Sequence, residues 1–259
     1  MGLFFNVLRR LTRLSRRKRT ADSGQRTVLK SDKHRIYIKG YPDSTVRPDR
    51  SITRAEVAII FFRLLKDIYR DDNAECTFSD VPYGAWYSQA INALAQLGVI
   101  VGYKDGTFRP DNPVTRAEFA ALSARFDALE PVRGIAFYDV PMTHWAAEYI
   151  CSVYAGGLIN CYEDGAFRPS NHITRAEAAK IINTMLERMP AGLPDILISP
   201  YIDIISTHRA FIHMMEASVE HTYTRGGDGV EFWTTHFCPV TGELLIHVDD
   251  YELLPPWLQ

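Results

Sequence analysis

Apolar residues fall at helical spacing in several separate runs along this chain, and polar turn clusters lie between them. Val57, Ile60, Phe61, Leu64 and Leu65 share one face of a helix predicted over about 53–69, ending in Asp71-Asp72-Asn73. Trp86, Ala90, Ile91, Leu94 and Leu97 predict a second helix, stopped by Gly98. Trp145, Ala146, Tyr149, Ile150 and Val153 repeat that pattern up to Gly156-Gly157, and Ala210, Phe211, Met214, Met215 and Ala217 form a weaker copy. Ile36-Tyr37-Ile38 reads as a short strand. Glu231–Trp233 and Leu244–Val248, separated by Pro239–Gly242, read as a small hairpin.

The runs are ordered by a repeat. GYPDSTVRPDRSITRAE starts at Gly40, GYKDGTFRPDNPVTRAE at Gly102 and CYEDGAFRPSNHITRAE at Cys161. Each ends in Thr-Arg-Ala-Glu, a capping box that starts a helix at Thr53, Thr115 and Thr174, with Glu56, Glu118 and Glu177 reaching back. Arg54, Arg116 and Arg175 then occupy the first helical position, beside amides with no partner inside the helix. That corner suits a carboxylate or phosphate. We term this block the tail. A second block, the head, is Phe78-Ser79-Asp80-Val81-Pro82 and its helix, repeated from Phe137 and, more weakly, from Tyr201. The complete heads recur after 59 residues (139 − 80), and Asp80 to Thr115 spans as many positions as Asp139 to Thr174.

The blocks alternate from a tail that lacks a preceding head to a head that lacks a following tail. An open solenoid protects its ends with capping repeats. Here the last head, about 200–220, is expected to pair with the first tail, about 36–70, and close three units. The expected fold is therefore mainly all-α, a pseudo-threefold bundle of three helix-turn-helix units within 36–220, the other two spanning 76–130 and 136–190. Residues 1–35 form a basic amphipathic segment and polar linker, and 221–259 an extension with the hairpin.

Composition narrows the partners. Among 259 residues the formal net charge is −2, yet Arg9, Arg10, Arg13, Arg16, Arg17, Lys18 and Arg19 supply +7, leaving −9 (−2 − 7) on the rest. An acidic body does not hold a polyanion through its overall field, so no nucleic-acid partner is expected and an anion must be held by local donors. Residues 1–19 place Leu3, Phe4, Val7, Leu8, Leu11 and Leu14 opposite the basic residues. This cationic amphipathic helix is open to three readings: a solvated terminus, contact with an anionic membrane surface, or contact with nucleic acid. No run reaches the ~18 apolar residues of a membrane span, and no secretory h-region is present. Cys76, Cys151, Cys161 and Cys238 have neither zinc spacing nor a disulfide framework, and His208, His213, His221, His236 and His247 assemble no closed ligand set. No metal or cofactor is expected. Nucleophile elbow, H-E-x-x-H and phosphate loop are all missing, so an enzyme is the alternative and a non-catalytic module the expectation.

Across Phe78–Glu118 and Phe137–Glu177 the chain resembles the surface-layer homology domain of bacterial cell-surface proteins, whose FxDV…HWA…GYxDGTFRPxxxITRAE pattern runs almost unbroken. HTYTRGGDGVEFW from His221 is similar to the segment that often follows the last head in such proteins. The resemblance implies a cell-wall location and non-covalent binding of a secondary cell-wall polymer, in several members one carrying pyruvylated amino sugar, in grooves between units. It implies Arg54, Arg116 and Arg175 as carboxylate ligands, Gly102 and Asp105 as turn-forming wall, and Trp86 and Trp145 as aromatic walls. The groove built on the second tail, assigned to Arg116, departs least from the family pattern. Ser44 and Val46 replace Gly and Phe in the first turn, Cys161 replaces Gly102 in the third, and His208-Arg209 replaces His144-Trp145 in the last head. A Cβ at such glycine positions is expected to distort a turn that wants φ > 0.

Each residue also has a purely structural reading. The helix-start arginines could pair with Asp43, Asp105 or Asp164. Trp86 and Trp145 stand at core-like spacing, which favours burial. Asp80, Asp139 and Asp203 are expected to cap the helices that follow them. Arg47, Arg109 and Arg168 are expected to serve turn geometry, solvated or paired.

Overall fold

Ile52, Val114 and Ile173 exchange backbone hydrogen bonds in a closed circuit: Val114 N–H donates to Ile52 O at 3.0 Å, Ile173 to Val114 O at 2.9 Å, and Ile52 to Ile173 O at 3.1 Å. All three side chains are buried. They are the apolar residues before the three Thr-Arg-Ala-Glu boxes. This circuit lies in the first of two units that the chain forms, 51–174; the second comprises 24–50 and 175–259, and each is described by itself. The computed structural model describes residues 32–34, 36–65, 78–127, 129–134, 137–188, 190, 199–226, 230–237 and 244–247. The basic helix of 1–19, the acidic stretch 71–73, Cys76, Cys238 and the hairpin turn 239–242 lie outside them.

The first unit holds α1 (Arg54–Leu64), α2 (Ser88–Gln96), α3 (Arg116–Phe126) and α4 (Ala147–Ala155). Each tail helix packs on the head helix that follows it, α1 on α2 and α3 on α4. Both capping boxes form, Thr53 with Glu56 and Thr115 with Glu118. Alanines at 55, 58, 117, 120, 121 and 124 are buried, and the Phe61 ring lies 4.7 Å from Phe126 and 6.0 Å from Phe119, centroid to centroid. Gly98 and Gly157 end α2 and α4 in the left-handed region, at φ 68° and 69°.

The head helices begin later than the periodicity predicts. Ala85 N–H donates to Pro82 O and Ser88 N–H to Ala85 O, so Trp86 lies in a turn ahead of α2, and Trp145 likewise precedes α4. Helical spacing does not apply there. The expected burial is therefore corrected: Trp86 is 64% and Trp145 59% exposed.

In the second unit are β1 (Asp32–His34), α5 (Arg175–Met185), α6 (Phe211–Ser218), β2 (His221–Arg225), β3 (Glu231–Phe237) and β4 (Leu244–His247). The tail helix again packs on its head helix, α5 on α6. The hairpin expected from the sequence is β3–β4, extended by β2 and β1 into an antiparallel sheet of order β1-β2-β3-β4. Ile36-Tyr37-Ile38 is not a strand. Tyr37 and Ile38 both donate their amides to Ala217 O at 3.1 Å, and the Tyr37 hydroxyl donates to Asn183 Oδ1 at 2.5 Å inside the core. Among the described residues no helix is long and apolar enough to cross a membrane.

Candidate functional site

The turn Tyr103–Arg109 is built by local donors and one distant carboxylate. Tyr103 N–H donates to Thr107 O at 2.8 Å and Gly106 N–H to Tyr103 O at 3.1 Å, with Gly106 at φ 81°. Asp105 accepts the Thr107 hydroxyl at 2.6 Å and the Arg109 guanidinium at 2.8 Å. The Thr107 hydroxyl, then Arg109, hold its carboxyl down at about 2. Arg109 itself has φ 57°, a costly conformation for a residue with a Cβ. The compensation comes from Asp80, whose two oxygens accept the amides of Phe108 at 2.7 Å and Arg109 at 2.6 Å. Successive N–H groups of this kind form an anion nest, and the chain fills it with its own carboxylate.

The same lock occurs at the third turn, where Asp139 takes the amides of Phe167 and Arg168. In the second unit Asp203 of the last head takes those of Val46 and Arg47. The head aspartates thus hold turns of the tail blocks; they do not cap their own helices, since α2, α4 and α6 have no side-chain cap. Sequence spacing alone misplaced them because their partners lie 28 or more positions away. Arg47, Arg109 and Arg168 pair with Asp43, Asp105 and Asp164, each at 2.8 Å.

The anion-binding corner inferred at the helix starts is also corrected. In α1, Thr53 N–H goes to Glu56, Arg54 N–H to Asn112 O, Ala55 N–H to Pro110 O and Glu56 N–H to Thr53 Oγ1. All four amides at the helix start are used. In α3, Arg116 and Ala117 donate to Asn171 and Pro169, and in the second unit Arg175 and Ala176 donate to Arg50 and Pro48.

The arginine side chains are fasteners as well. Arg54 donates through Nε to Phe108 O at 2.7 Å and through Nη2 to Val101 O at 3.0 Å. Arg116 reaches Phe167 O and Asn160 O, and Arg175 reaches Val46 O and Lys39 O, both in the 2.8–3.3 Å range. Each guanidinium also lies over a turn tyrosine: Arg54 over Tyr103, Arg116 over Tyr162 and Arg175 over Tyr41. Arg116 and Arg175 are buried, at 4% exposure each.

One groove of about 500 Å³ opens on the first unit. It brings together three of the residues singled out in the sequence, Arg54, Gly102 and Trp145, and leaves out Arg116, Arg175, Asp105 and Trp86. The arginine beside the Gly102 turn is thus Arg54 of the preceding tail, whereas Arg116 serves the next turn along. Gly102 is required by close approach, not by φ: a Cβ there would stand 2.3 Å from Phe78 Cε1 and 2.7 Å from Thr107 O. The position that does need φ > 0 is 106, matched by Gly165 and by Ser44 at φ 59°. Ser44 does not distort its turn, which keeps Tyr41 N–H to Thr45 O at 2.8 Å.

Two groove residues were given no site role from the sequence. Arg125, in the last turn of α3, lies over the Tyr149 ring and donates to its hydroxyl at 3.3 Å. Among the described residues no carboxylate pairs with it. Arg54, by contrast, has Glu118 Oε1 at 3.3 Å. His144 lines the groove beside Trp145, its ring stacked at 30°. Arg125 stands seven residues beyond the repeated box, where repeat matching does not look. The groove therefore combines an exposed indole, an arginine that among the described residues pairs with a phenol and no carboxylate, and an apolar floor including Val57, Val114 and Leu122.

Three stretches, 37–58, 77–120 and 136–179, match the family model of the S-layer homology domain. Cell surface glycoprotein 1 of Acetivibrio thermocellus is 38% identical over 206 residues, 73% of this chain and 9% of its own length. The cellulosome-anchoring protein of the same organism is 35% identical over 207 residues, 76% of this chain and 45% of its own. An amylopullulanase of Thermoanaerobacterium thermosulfurigenes is 32% identical over 175 residues, 64% of this chain and 9% of the enzyme. The chain thus spans less than half the length of these relatives. They give no support for a membrane surface as a partner of residues 1–19.

Proposed function

As a member of the S-layer homology domain family, located at the cell surface or cell wall, this protein is, we propose, a non-catalytic anchoring module that binds an anionic secondary cell-wall polysaccharide. The observation that carries the reading is the groove in which Trp145, Arg125 and Arg54 converge. An indole face packs against the apolar face of a sugar ring, and Arg125 offers its guanidinium to a carboxylate such as a pyruvyl ketal. Arg54 orients the turn and contributes charge already shared with Glu118.

Glycoside hydrolysis uses a pair of carboxyl groups flanking the scissile bond. Glu118 is the one carboxylate among the described lining residues, and Thr115, Arg54 and Tyr103 already donate to it. That occupancy favours the anchoring reading over a wall-active enzyme. The relatives named for surface attachment point the same way, and the amylopullulanase shares only a small part of its length with this chain.

Co-sedimentation with cell-wall sacculi tests the proposal, using walls left intact, walls stripped of secondary polymer by acid, and, as competitors, soluble polymer that bears its ketal or has been freed of it. Wild type should pellet with intact walls alone and be displaced by ketal-bearing polymer. Equal pelleting with stripped walls, or release of reducing ends from the polymer, would overturn it.

A further inference from the structure

Among the described residues of the second unit, His34 on β1, Glu216 on α6 and His221 on β2 bring three ligand atoms within 4.8 Å of one another. His34 Nδ1 lies 2.6 Å from Glu216 Oε1 and 3.1 Å from His221 Nε2, and His221 Nε2 lies 3.1 Å from Glu216 Oε2. Their side chains are 9%, 0% and 0% exposed, so water does not separate them.

The tautomers decide what these contacts are. His221 Nδ1 lies 2.8 Å from Val219 O; a carbonyl only accepts, so this nitrogen carries the proton and a neutral ring leaves Nε2 as a lone pair. That lone pair faces a carboxylate oxygen, two acceptors at hydrogen-bond distance. A single proton on His34 Nδ1 can serve Glu216 Oε1 or His221 Nε2, and it relieves the contact between His221 and Glu216 in neither case. Something positive belongs in the triangle, either a second proton on His221 Nε2 or a metal ion, and the Arg188 guanidinium already stands 4.0 Å from Glu216 Oε1.

The donor set and its outer partners suit a metal ion. We propose that His34 Nδ1, His221 Nε2 and Glu216 ligate one divalent metal ion of the zinc class. Two imidazoles and a carboxylate are a zinc donor set, and at bonds of about 2.0–2.1 Å tetrahedral ligand atoms stand about 3.3 Å apart, so the two 3.1 Å edges need to open by roughly 0.2 Å and the 2.6 Å edge by roughly 0.7 Å. Metal-bound histidines characteristically donate their outer N–H to a carbonyl or carboxylate. His221 has Val219 O for this. For His34 a metal on Nδ1 places the proton on Nε2, which faces Glu231 Oε1 at 3.8 Å; Glu231 is fully buried and its Oε2 has no partner. Trp233 Nε1–H holds Glu216 Oε2 at 3.0 Å and its ring stacks on His221 at 3.7 Å, while Tyr223 packs on His34 at 3.9 Å. The ion would tie the strand ahead of the first repeat to the last head and to the sheet.

The test uses the full chain, stripped with EDTA and with its thiols alkylated so that cysteine cannot compete. Co²⁺ is titrated in while the visible ligand-field band is followed, then displaced with Zn²⁺, and thermal unfolding is recorded with Zn²⁺ and with EDTA. One Co²⁺ per chain, loss of the band in His34→Gln with helical circular dichroism retained, and a Tm that climbs with Zn²⁺ are the results expected. A colourless wild type, an undiminished band in His34→Gln, or a Tm indifferent to Zn²⁺ and EDTA overturns the site. Should His34→Gln fail to fold, Trp233→Phe keeps an aromatic ring beside His221 and removes the donor to Glu216. It should weaken Co²⁺ about 10–100-fold, and unchanged affinity overturns the site equally.

Discussion

The carboxylate of Asp80 accepts the backbone amide of Arg109 at 2.6 Å, across 29 positions of sequence, and holds that arginine at φ 57°. The relationship recurs between Asp139 and Arg168 and, in the second unit, between Asp203 and Arg47. Asp80→Ala removes the acceptor of two consecutive amides. Hydrogen bonds to a charged group are worth about 1.5–3 kcal/mol each, and solvent reaching this half-buried carboxylate will reduce that. We expect a loss of about 2 kcal/mol in urea unfolding, with Asp80→Asn intermediate because it keeps one acceptor. Unchanged stability in Asp80→Ala would show that the nest holds its shape unaided.

Two glycine-like positions separate steric from conformational demand. Gly102→Ala pushes a Cβ to 2.3 Å from the Phe78 ring and should cost about 1–3 kcal/mol, the range for overpacking. Ser44→Gly relaxes a side chain held at φ 59° and should gain up to about 1 kcal/mol, less the backbone entropy glycine adds to the unfolded chain. Chemical denaturation of both variants beside wild type measures the contrast.

Groove binding should track Arg125 more than the buried arginines of the boxes. Arg125→Ala and Trp145→Ala are expected to weaken sacculus binding about tenfold or more while leaving the melting temperature near wild type, since each loses one charge-assisted or stacking contact. Arg116→Ala should instead lower stability, because Phe167 O and Asn160 O lose a donor. Pull-down and melting measured on the same preparations discriminate; equal binding by Arg125→Ala and wild type would remove Arg125 from the site.

His213 supplies a pH dependence. Burial, and then Lys180 on α5, lower its pKa below 6.5 despite Glu216 on its own helix, and its Nδ1 is buried without a partner. A folded-state pKa below the unfolded value means the fold favours the neutral ring. This contribution is complete above about 6.5 and is lost as pH falls toward the folded pKa. His213→Gln should flatten the decline in stability between neutral and mildly acidic pH. A variant with the wild-type slope would place the dependence elsewhere.

The elements were legible because their causes are local. Thr and Glu three positions apart make the capping boxes at Thr53 and Thr115, glycines end α2 and α4, and the regular recurrence of whole blocks announces repeated packing. The turn aspartates Asp43, Asp105 and Asp164, offered from the sequence to the helix-start arginines, pair instead with Arg47, Arg109 and Arg168, only four positions after them. Burial of the two tryptophans was misread because periodicity was extended past the first turn of a helix that begins later.

What the sequence by itself determined was the repeat, the helices and the family pattern, all set by short-range hydrogen bonding and apolar periodicity. Only the tertiary structure decided which groups meet. It sent Asp80 to Arg109, used every amide at the start of α1, moved Arg54 beside Gly102, and gathered His34, Glu216 and His221 from three elements. The reason is physical: a hydrogen bond between distant residues exists only once packing has brought them together, and a repeat pattern carries no term for the neighbour across the fold.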